Sequence, residues 1–180
     1  MTRSQIQKLH HLGTDNNARR VMRNLNEWLC SRFIEEKVYY LNKRGREKIG
    51  SENIANWNPS VLHTVMRNDV YLYLKPSQWH IEQSIEVGNE GFKIVPDAIG
   101  VRRELDQERF FFVEIDNTQR WSENLNKLQK YRKLKEYKVW QEHHGYFPTI
   151  VWLTKSKLRA NELKKITDLK MNVYEWEEIK

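Results

Sequence analysis

A short segment near the amino terminus carries several side chains that are suited to binding a polyanion. Arginine and asparagine donate hydrogen bonds to phosphate oxygens, and both bond to purine edges in the major groove of DNA. Three- and four-residue spacing places these side chains together on one side of a helix that begins at Asp15. The segment is therefore predicted to contact double-stranded DNA. The predicted contact residues are Asn16, Asn17, Arg19, Arg20 and Arg23.

The opposite side of the same segment is apolar. Such a stripe packs against the rest of a domain and leaves the basic side facing outward. The alternative is an amphipathic helix whose basic face is merely solvated. The stripe consists of Ala18, Val21, Met22, Leu25, Trp28 and Leu29.

Positive charge is concentrated in this part of the chain. Residues 1–50 contain 11 Lys or Arg and 5 Asp or Glu, which gives 11 − 5 = +6. The other 130 residues contain 20 basic and 19 acidic side chains, which gives +1 of the total of +7. A local excess of cations attracts DNA through the release of counterions. The distribution of charge therefore favours DNA binding by the first quarter of the chain.

A second candidate site consists of carboxylates at the end of an apolar strand. Strand geometry places Glu114 and Asp116 on the same face, opposite Val113 and Ile115. Asp97, at the end of a neighbouring predicted strand, is expected to converge on the same point. A buried carboxylate is costly unless it is paired, exposed or bound to a cation. These acids are therefore predicted either to bind Mg²⁺ or to be bonded to the backbone, Arg120 or Lys127.

The elements that position the basic segment have the order of a winged helix-turn-helix. A helix over Arg3–His11, capped by Thr2, is followed by a turn at Gly13 and then by the basic helix. Two short strands, 33–34 and 38–41, form a hairpin that serves as the wing. A basic turn and short helix over 42–49 follow, in which Lys43, Arg44 and Arg46 are predicted to contact phosphate. The first helix of the usual layout is missing or supplied from elsewhere.

The rest of the chain alternates strands and helices, which predicts an α/β domain over 59–180 behind a linker over 51–58. The fold class is thus α+β, with a winged helix-turn-helix over 1–50 and a central mixed sheet in the second domain. The predicted strands are 79–87, 92–101 with a break at Pro96-Asp97, 110–116, 149–153 and 172–176, with a charged loop over 102–109. The predicted helices are 61–74, 122–141 with Ser122 as its cap, and 157–169.

Composition excludes several other classes of protein. No run approaches the roughly 18 apolar residues of a membrane span, and the amino terminus is not a signal peptide, so a cytoplasmic location without a membrane partner is predicted. The single cysteine, Cys30, cannot form an internal disulfide and is expected to be buried. Neither a zinc site nor a glycine-rich nucleotide loop is present in the sequence.

Three short motifs in order resemble the replication-relaxation family. They are Val95-Pro96-Asp97-Ala98, Phe112-Val113-Glu114-Ile115-Asp116-Asn117-Thr118 and Lys127-Leu128-Gln129-Lys130-Tyr131. Members of that family occur on plasmids and mobile elements of Gram-positive bacteria and carry a winged helix in front. The resemblance extends over almost the whole chain and implies a role beside plasmid DNA.

The same motifs are similar to the PD-(D/E)xK nuclease fold, that of restriction endonucleases. This resemblance implies that Asp97 and Glu114 hold a divalent metal such as Mg²⁺. Asp116 stands at the position where that fold usually has a lysine that orients the water. The resemblance therefore leaves the role of this lysine to Lys127 or to no residue. It therefore implies a nuclease-like domain that is degenerate, with Asp97, Glu114, Asp116 and Lys127 as the catalytic set if it is active.

Three functions follow as hypotheses. The first is a DNA-binding protein of a plasmid or mobile element that assists replication, DNA relaxation or transcriptional control. The second is a Mg²⁺-dependent endonuclease or nickase, and the third is an adaptor that docks a relaxase or replication initiator. A homodimer is also expected, because winged helices often pair on palindromic sites.

Overall fold

The computed structural model describes residues 1–54, 60–87, 91–104, 107–117 and 119–180. Contacts divide the chain into two units, Met1–Leu72 and Tyr73–Lys180. The predicted linker over 51–58 lies before this division, and its positions 55–58 fall outside the described residues. The assignment of residues 1–50 as a separate domain stays a prediction.

Polar side chains determine where the first two helices begin. Thr2 and Gln5 form a complete capping box at the start of α1, as the sequence predicts. Thr14 accepts a hydrogen bond from the backbone N–H of Asn17 and caps α2. The elements that begin in this unit are α1 (Arg3–Leu9), α2 (Asp15–Asn24), β1 (Leu29–Phe33), β2 (Lys37–Leu41), α3 (Lys43–Ile49) and α4 (Ser60–Leu74).

A hairpin forms where it was predicted, but its first strand is Leu29–Phe33 and not 33–34, and the amino terminus pairs with its second strand. β1 and β2 are antiparallel, with Ser31 opposite Tyr39. Thr2 forms a bridge to Val38, and the backbone of Met1 bonds to that of Tyr39 in both directions. The chain therefore enters α1 from a short extended segment beside β2.

A buried amide joins α1 to α4. The side chain of Gln5, 1% exposed, donates to the Val65 carbonyl at 2.8 Å and to Asp69 Oδ1 at 2.8 Å. Its own oxygen accepts the Thr2 N–H. A buried polar group without a hydrogen bond is costly, so this network fixes α4 against α1.

The second unit contains a five-stranded mixed sheet, which confirms the predicted mixed sheet. Its strand order is β3-β6-β7-β8-β9. The β3–β6 and β6–β7 pairs are antiparallel, whereas β7–β8 and β8–β9 are parallel. The elements that begin in this unit are β3 (Gln78–Ile81), β4 (Ile85–Val87), β5 (Phe92–Ile94), β6 (Ala98–Glu104), β7 (Gln107–Asp116), α5 (Trp121–Glu136), α6 (Val139–His144), β8 (Thr149–Thr154), α7 (Lys157–Lys164), β9 (Met171–Glu175) and α8 (Trp176–Ile179).

One cluster of core side chains in this unit lies between one face of the sheet and α5. Phe112, Ile150 and Trp152 from the central strands cluster with Leu128 and Tyr131 of α5. Every residue of β7 from Phe111 to Asp116 is buried, so the predicted central position of this strand is confirmed. Its last residues are therefore the ones whose charges need partners.

Several predicted elements differ from those observed. The single strand over 79–87 is wrong: β3 pairs with β6, whereas β4 forms a separate hairpin with β5. The charged loop over 102–109 is mostly strand, because β6 and β7 pair as far as Glu104 and Gln107. Positions 88–90, between the predicted strands over 79–87 and 92–101, fall outside the described residues.

The helix predictions fail mainly at their ends. The helix over 122–141 begins instead after Arg120 and is divided at Lys138, whose φ of 57° lies in the left-handed region. The basic helix ends at Asn24, so Leu29 begins a strand instead of extending the apolar stripe.

Cys30 is exposed, so its expected burial is wrong. Among the described residues, no helix has both the length and the apolar character needed to span a membrane.

Candidate functional site

The exposed side of α2 carries the predicted DNA contacts. Ala18 and Met22 are buried, which orients the helix with its other side outward. Asn16, Arg19 and Arg23 follow one another at three- and four-residue steps and all are exposed. The helix thus presents one polar, cationic stripe, as its sequence predicts.

This stripe forms one wall of a groove of about 760 Å³ within the first unit. Asn16, Arg19 and Arg23 line it from α2, and Lys37 and Tyr39 line it from β2. The remaining lining residues are Arg3, Met22, Asn26, Leu29, Cys30 and Ser31. Four of the lining side chains are cations and none is a carboxylate. A concave surface with only positive charge concentrates an electrostatic field and attracts a polyanion.

Asp15 orients two of these cations from outside the groove. Its carboxylate contacts Arg3 Nη2 at 2.8 Å and Arg19 Nε at 2.7 Å. The Arg19 side chain nevertheless remains 59% exposed. The Arg23 side chain makes no hydrogen bond or ion pair with any residue that the structure describes, so its charge is available to a ligand.

The other predicted contacts lie outside the groove. The Asn17 amide donates to the Leu12 carbonyl at 2.7 Å, and its oxygen accepts a bond from Arg20 at 2.9 Å. Asn17 therefore holds the turn before α2, while Arg20 is exposed beside it.

On α3, the predicted contacts have different surroundings. Lys43 lies 3.9 Å from Glu47, and Arg46 donates to the Leu41 carbonyl at 3.4 Å. Arg44 is exposed.

Three groove residues, Arg3, Lys37 and Tyr39, were not predicted from the sequence. The two-residue alternation of Lys37 and Tyr39 was the only signal that put them on one face of the hairpin.

The carboxylates at the end of β7 divide into two clusters. Glu114 is 1% exposed and accepts a hydrogen bond from the Tyr131 hydroxyl at 2.6 Å. Its other oxygen pairs closely with Lys127 Nζ. Lys127 Nζ also lies 3.6 Å from Asp97 Oδ2, which accepts the Ile115 N–H at 2.7 Å. The structure therefore brings Asp97, Glu114 and Lys127 together.

Asp116 belongs to the other cluster. Its carboxylate accepts hydrogen bonds from Arg159 Nη1 at 2.6 Å and from the Thr154 hydroxyl at 3.2 Å. Its side chain is fully buried, so these two donors satisfy a charge that would otherwise be costly. Neither donor was identified from the sequence, because α7 and β8 are distant from β7 in the chain.

Burial and ion pairing shift the pKa values in the first cluster. Burial raises the pKa of Glu114 to about 7, and the opposing effects of Lys127 and Tyr131 do not cancel it. Burial lowers the pKa of Lys127, but Glu114 and Asp97 together outweigh it, so the net pKa of this ammonium is raised. Lys127 therefore remains charged near neutral pH and compensates the two acids.

This arrangement does not fit a Mg²⁺ site. The Lys127 ammonium lies between Asp97 and Glu114, where a divalent ion would have to bind, and both Glu114 oxygens already accept protein donors. Within the part of the chain that the structure describes, no group of three or more His, Cys, Asp or Glu side chains is placed to hold a metal. The catalytic role of Asp97, Glu114, Asp116 and Lys127 stays a prediction.

Comparison with known proteins gives one family. The replication-relaxation family matches residues 1–150, which include α1 to α6 and the strands from β1 to the start of β8. Neither a curated protein nor a solved structure matches the chain. Because the match extends over 150 of the 180 residues, including both the cationic groove and the carboxylate cluster, the chain belongs to the replication-relaxation family.

Proposed function

We propose that this protein binds double-stranded DNA through the groove beside α2 and thereby assists the replication or relaxation of a plasmid or mobile element. Membership of the replication-relaxation family indicates the plasmid or mobile-element setting. The observation that carries the DNA-binding proposal is the groove with four cationic side chains and no carboxylate in its lining. Cations of this kind release counterions from a phosphate backbone.

The order of elements supports a winged-helix mode of binding. α1, a turn and α2 precede the β1–β2 hairpin, and the segment Met1–Thr2 pairs with β2. In that mode α2 enters the major groove and the hairpin lies beside it. Arg23 and Asn16 then face base edges or phosphates, while Lys37 approaches the backbone from the hairpin. α4, bonded to Gln5, serves as the helix that packs against α1 in this mode.

We infer a structural role for the carboxylate cluster in the second unit. Lys127 supplies the positive charge that a metal ion provides in a nuclease, so the cluster can stabilise the sheet without a cofactor. A degenerate nuclease-like domain is consistent with this arrangement. A relaxase or replication initiator as partner and a homodimer stay predictions.

The test is the salt dependence of DNA affinity for Arg23→Ala/Lys37→Ala, which removes two cations from the lining of the groove. The loss of two phosphate contacts should make the slope of log K against log[salt], where K is the association constant for DNA, about 1.8 less steep. The affinity should fall about tenfold at moderate salt. Fluorescence anisotropy of a labelled duplex measures both quantities. Lys157→Ala/Lys164→Ala, which removes two exposed cations from α7, is the matched control and should keep the wild-type slope. Equal slopes for the two double variants would contradict the proposal.

A further inference from the structure

One face of the five-stranded sheet has a cationic hollow at the end where β7, β8 and β9 begin. Its volume is about 210 Å³. Arg102, Arg109 and Lys170 line it, together with one carboxylate, Glu104. The other lining residues are Leu74, Phe110, Phe111, Thr149, Val151, Asn172 and Tyr174. Asp97, Glu114 and Lys127 are absent from this lining, so the hollow is separate from the carboxylate cluster.

Two arginines in this hollow face each other directly. Arg102 on β6 is the cross-strand partner of Arg109 on β7. Directly opposite residues of an antiparallel pair point to the same face, with Cβ atoms about 4.5–5.5 Å apart, and like charges in that position destabilise a sheet. Both arginines are exposed, so water screens part of this repulsion.

The next pair along the same two strands has the opposite arrangement. Arg103 pairs with Glu108, and their charged groups lie 3.7 Å apart on the other face. One face of the β6–β7 ribbon is therefore neutralised by its own side chains. On the Arg102–Arg109 face the hollow is lined by one carboxylate, Glu104, which forms no ion pair with either arginine among the residues that the structure describes, so the two cations favour an anion from outside the protein.

The local contacts hold both guanidinium groups without neutralising them. Arg109 lies over the ring of Tyr146 at 4.7 Å, and Arg102 donates to the Leu74 carbonyl at 3.4 Å. Neither arginine forms an ion pair with a carboxylate among the residues that the structure describes. Guanidinium groups bind phosphate oxygens through paired N–H donors, and Thr149 and Asn172 add neutral donors in the same lining.

We propose that this hollow binds a phosphodiester of the DNA backbone and gives the protein a second DNA contact, in the unit Tyr73–Lys180. The inference rests on the proposed function in that DNA is the ligand, but it uses none of the groove residues of α2. An acidic protein segment is the competing occupant. DNA is favoured because the two adjacent guanidinium groups can share one phosphate and because replication and relaxation, after which the family is named, are processes of DNA.

The experiment compares Arg102→Gln/Arg109→Gln with wild type in duplex binding by fluorescence anisotropy over a range of salt. We expect about tenfold weaker binding and a slope reduced by about 1.8, as for two lost phosphate contacts. Arg103→Gln, which alters the adjacent residue on the opposite face, is the matched control and should bind like wild type. The melting temperature of the double variant should not fall, because the substitution removes repulsion between like charges.

The outcomes separate this inference from the proposed function. Wild-type DNA binding by Arg102→Gln/Arg109→Gln, alongside weak binding by Arg23→Ala/Lys37→Ala, would overturn the second contact and leave the first. The reverse pattern would overturn the groove beside α2 and support the hollow. Binding of polyglutamate by wild type but not by Arg102→Gln/Arg109→Gln, together with an unchanged DNA affinity of that double variant, would assign the hollow to an acidic protein partner and overturn the inference.

Discussion

At the scale of single residues, Glu114 combines deep burial with two hydrogen-bond donors. Tyr131 and Lys127 each bond one of its oxygens, yet burial still raises its pKa to about 7. The ordinary value is 4.5. Between these two values the folded protein binds a proton that the unfolded chain has released, so protonation of Glu114 favours folding.

The first prediction concerns the pH dependence that follows from this shift. The stabilising contribution of Glu114 protonation is fully present below about pH 4.5 and is lost as pH rises through about 7. Glu114→Gln cannot ionise, so its free energy of unfolding should vary less than that of wild type over this range, by up to about 3 kcal/mol. Urea unfolding at about pH 5 and about pH 8 measures the difference. Glu177→Gln, an exposed acid on α8, should retain the wild-type pH dependence.

At the scale of elements, the start of α3 depends on a close approach between two backbone segments. The Asn42 side chain caps this helix through the N–H of Gly45 at 2.9 Å, and Gly45 is buried against the carbonyl oxygen of Trp28. A Cβ at this position would overlap that oxygen. A glycine is required here because a backbone oxygen cannot rotate away as a side chain can.

The second prediction follows from this contact. Gly45→Ala should shift α3 away from the segment that precedes β1 and lower the free energy of unfolding by about 1–3 kcal/mol, the usual cost of overpacking. Chemical denaturation measures the change. Arg44→Ala, at an exposed neighbouring position of the same helix, should have little effect on stability. If both variants unfolded at the same denaturant concentration, the contact would not limit the position of α3.

At the scale of the whole molecule, the two units differ in charge. The unit Met1–Leu72 contains 12 basic and 7 acidic side chains, 12 − 7 = +5, and supplies the groove beside α2, whereas Tyr73–Lys180 contains 19 basic and 17 acidic side chains, 19 − 17 = +2. In the second unit, the carboxylates Asp97, Glu114 and Asp116 each contact a cation. This division favours binding by the first unit and accounts for the acids of the second without a metal ion.

The third prediction addresses catalysis by the full chain. Supercoiled plasmid incubated with the protein and either Mg²⁺ or Mn²⁺ should remain intact, because Lys127 occupies the position that the metal would need. Agarose gel electrophoresis detects nicked or linear products. Cleavage that disappeared in both Asp97→Ala and Glu114→Ala would establish the endonuclease alternative instead.

The sequence by itself determined the local features of this protein. Hydrogen bonds over three residues place the cap at Thr2, and helical spacing places Arg19 and Arg23 on one side of α2. The apolar run of β7 likewise predicts a central strand. These features depend on neighbours in the chain, so short-range periodicity is sufficient to find them.

Only the tertiary structure decided which distant groups meet. Lys37 joins the α2 groove through strand pairing, and Arg159 reaches Asp116 from a helix 43 residues further along the chain. The separation of β3 from β4 likewise depends on which partner strand each one finds, because both have similar alternation. Such pairings are set by long-range packing and by the compensation of buried charge, and neither leaves a periodic signal in the sequence.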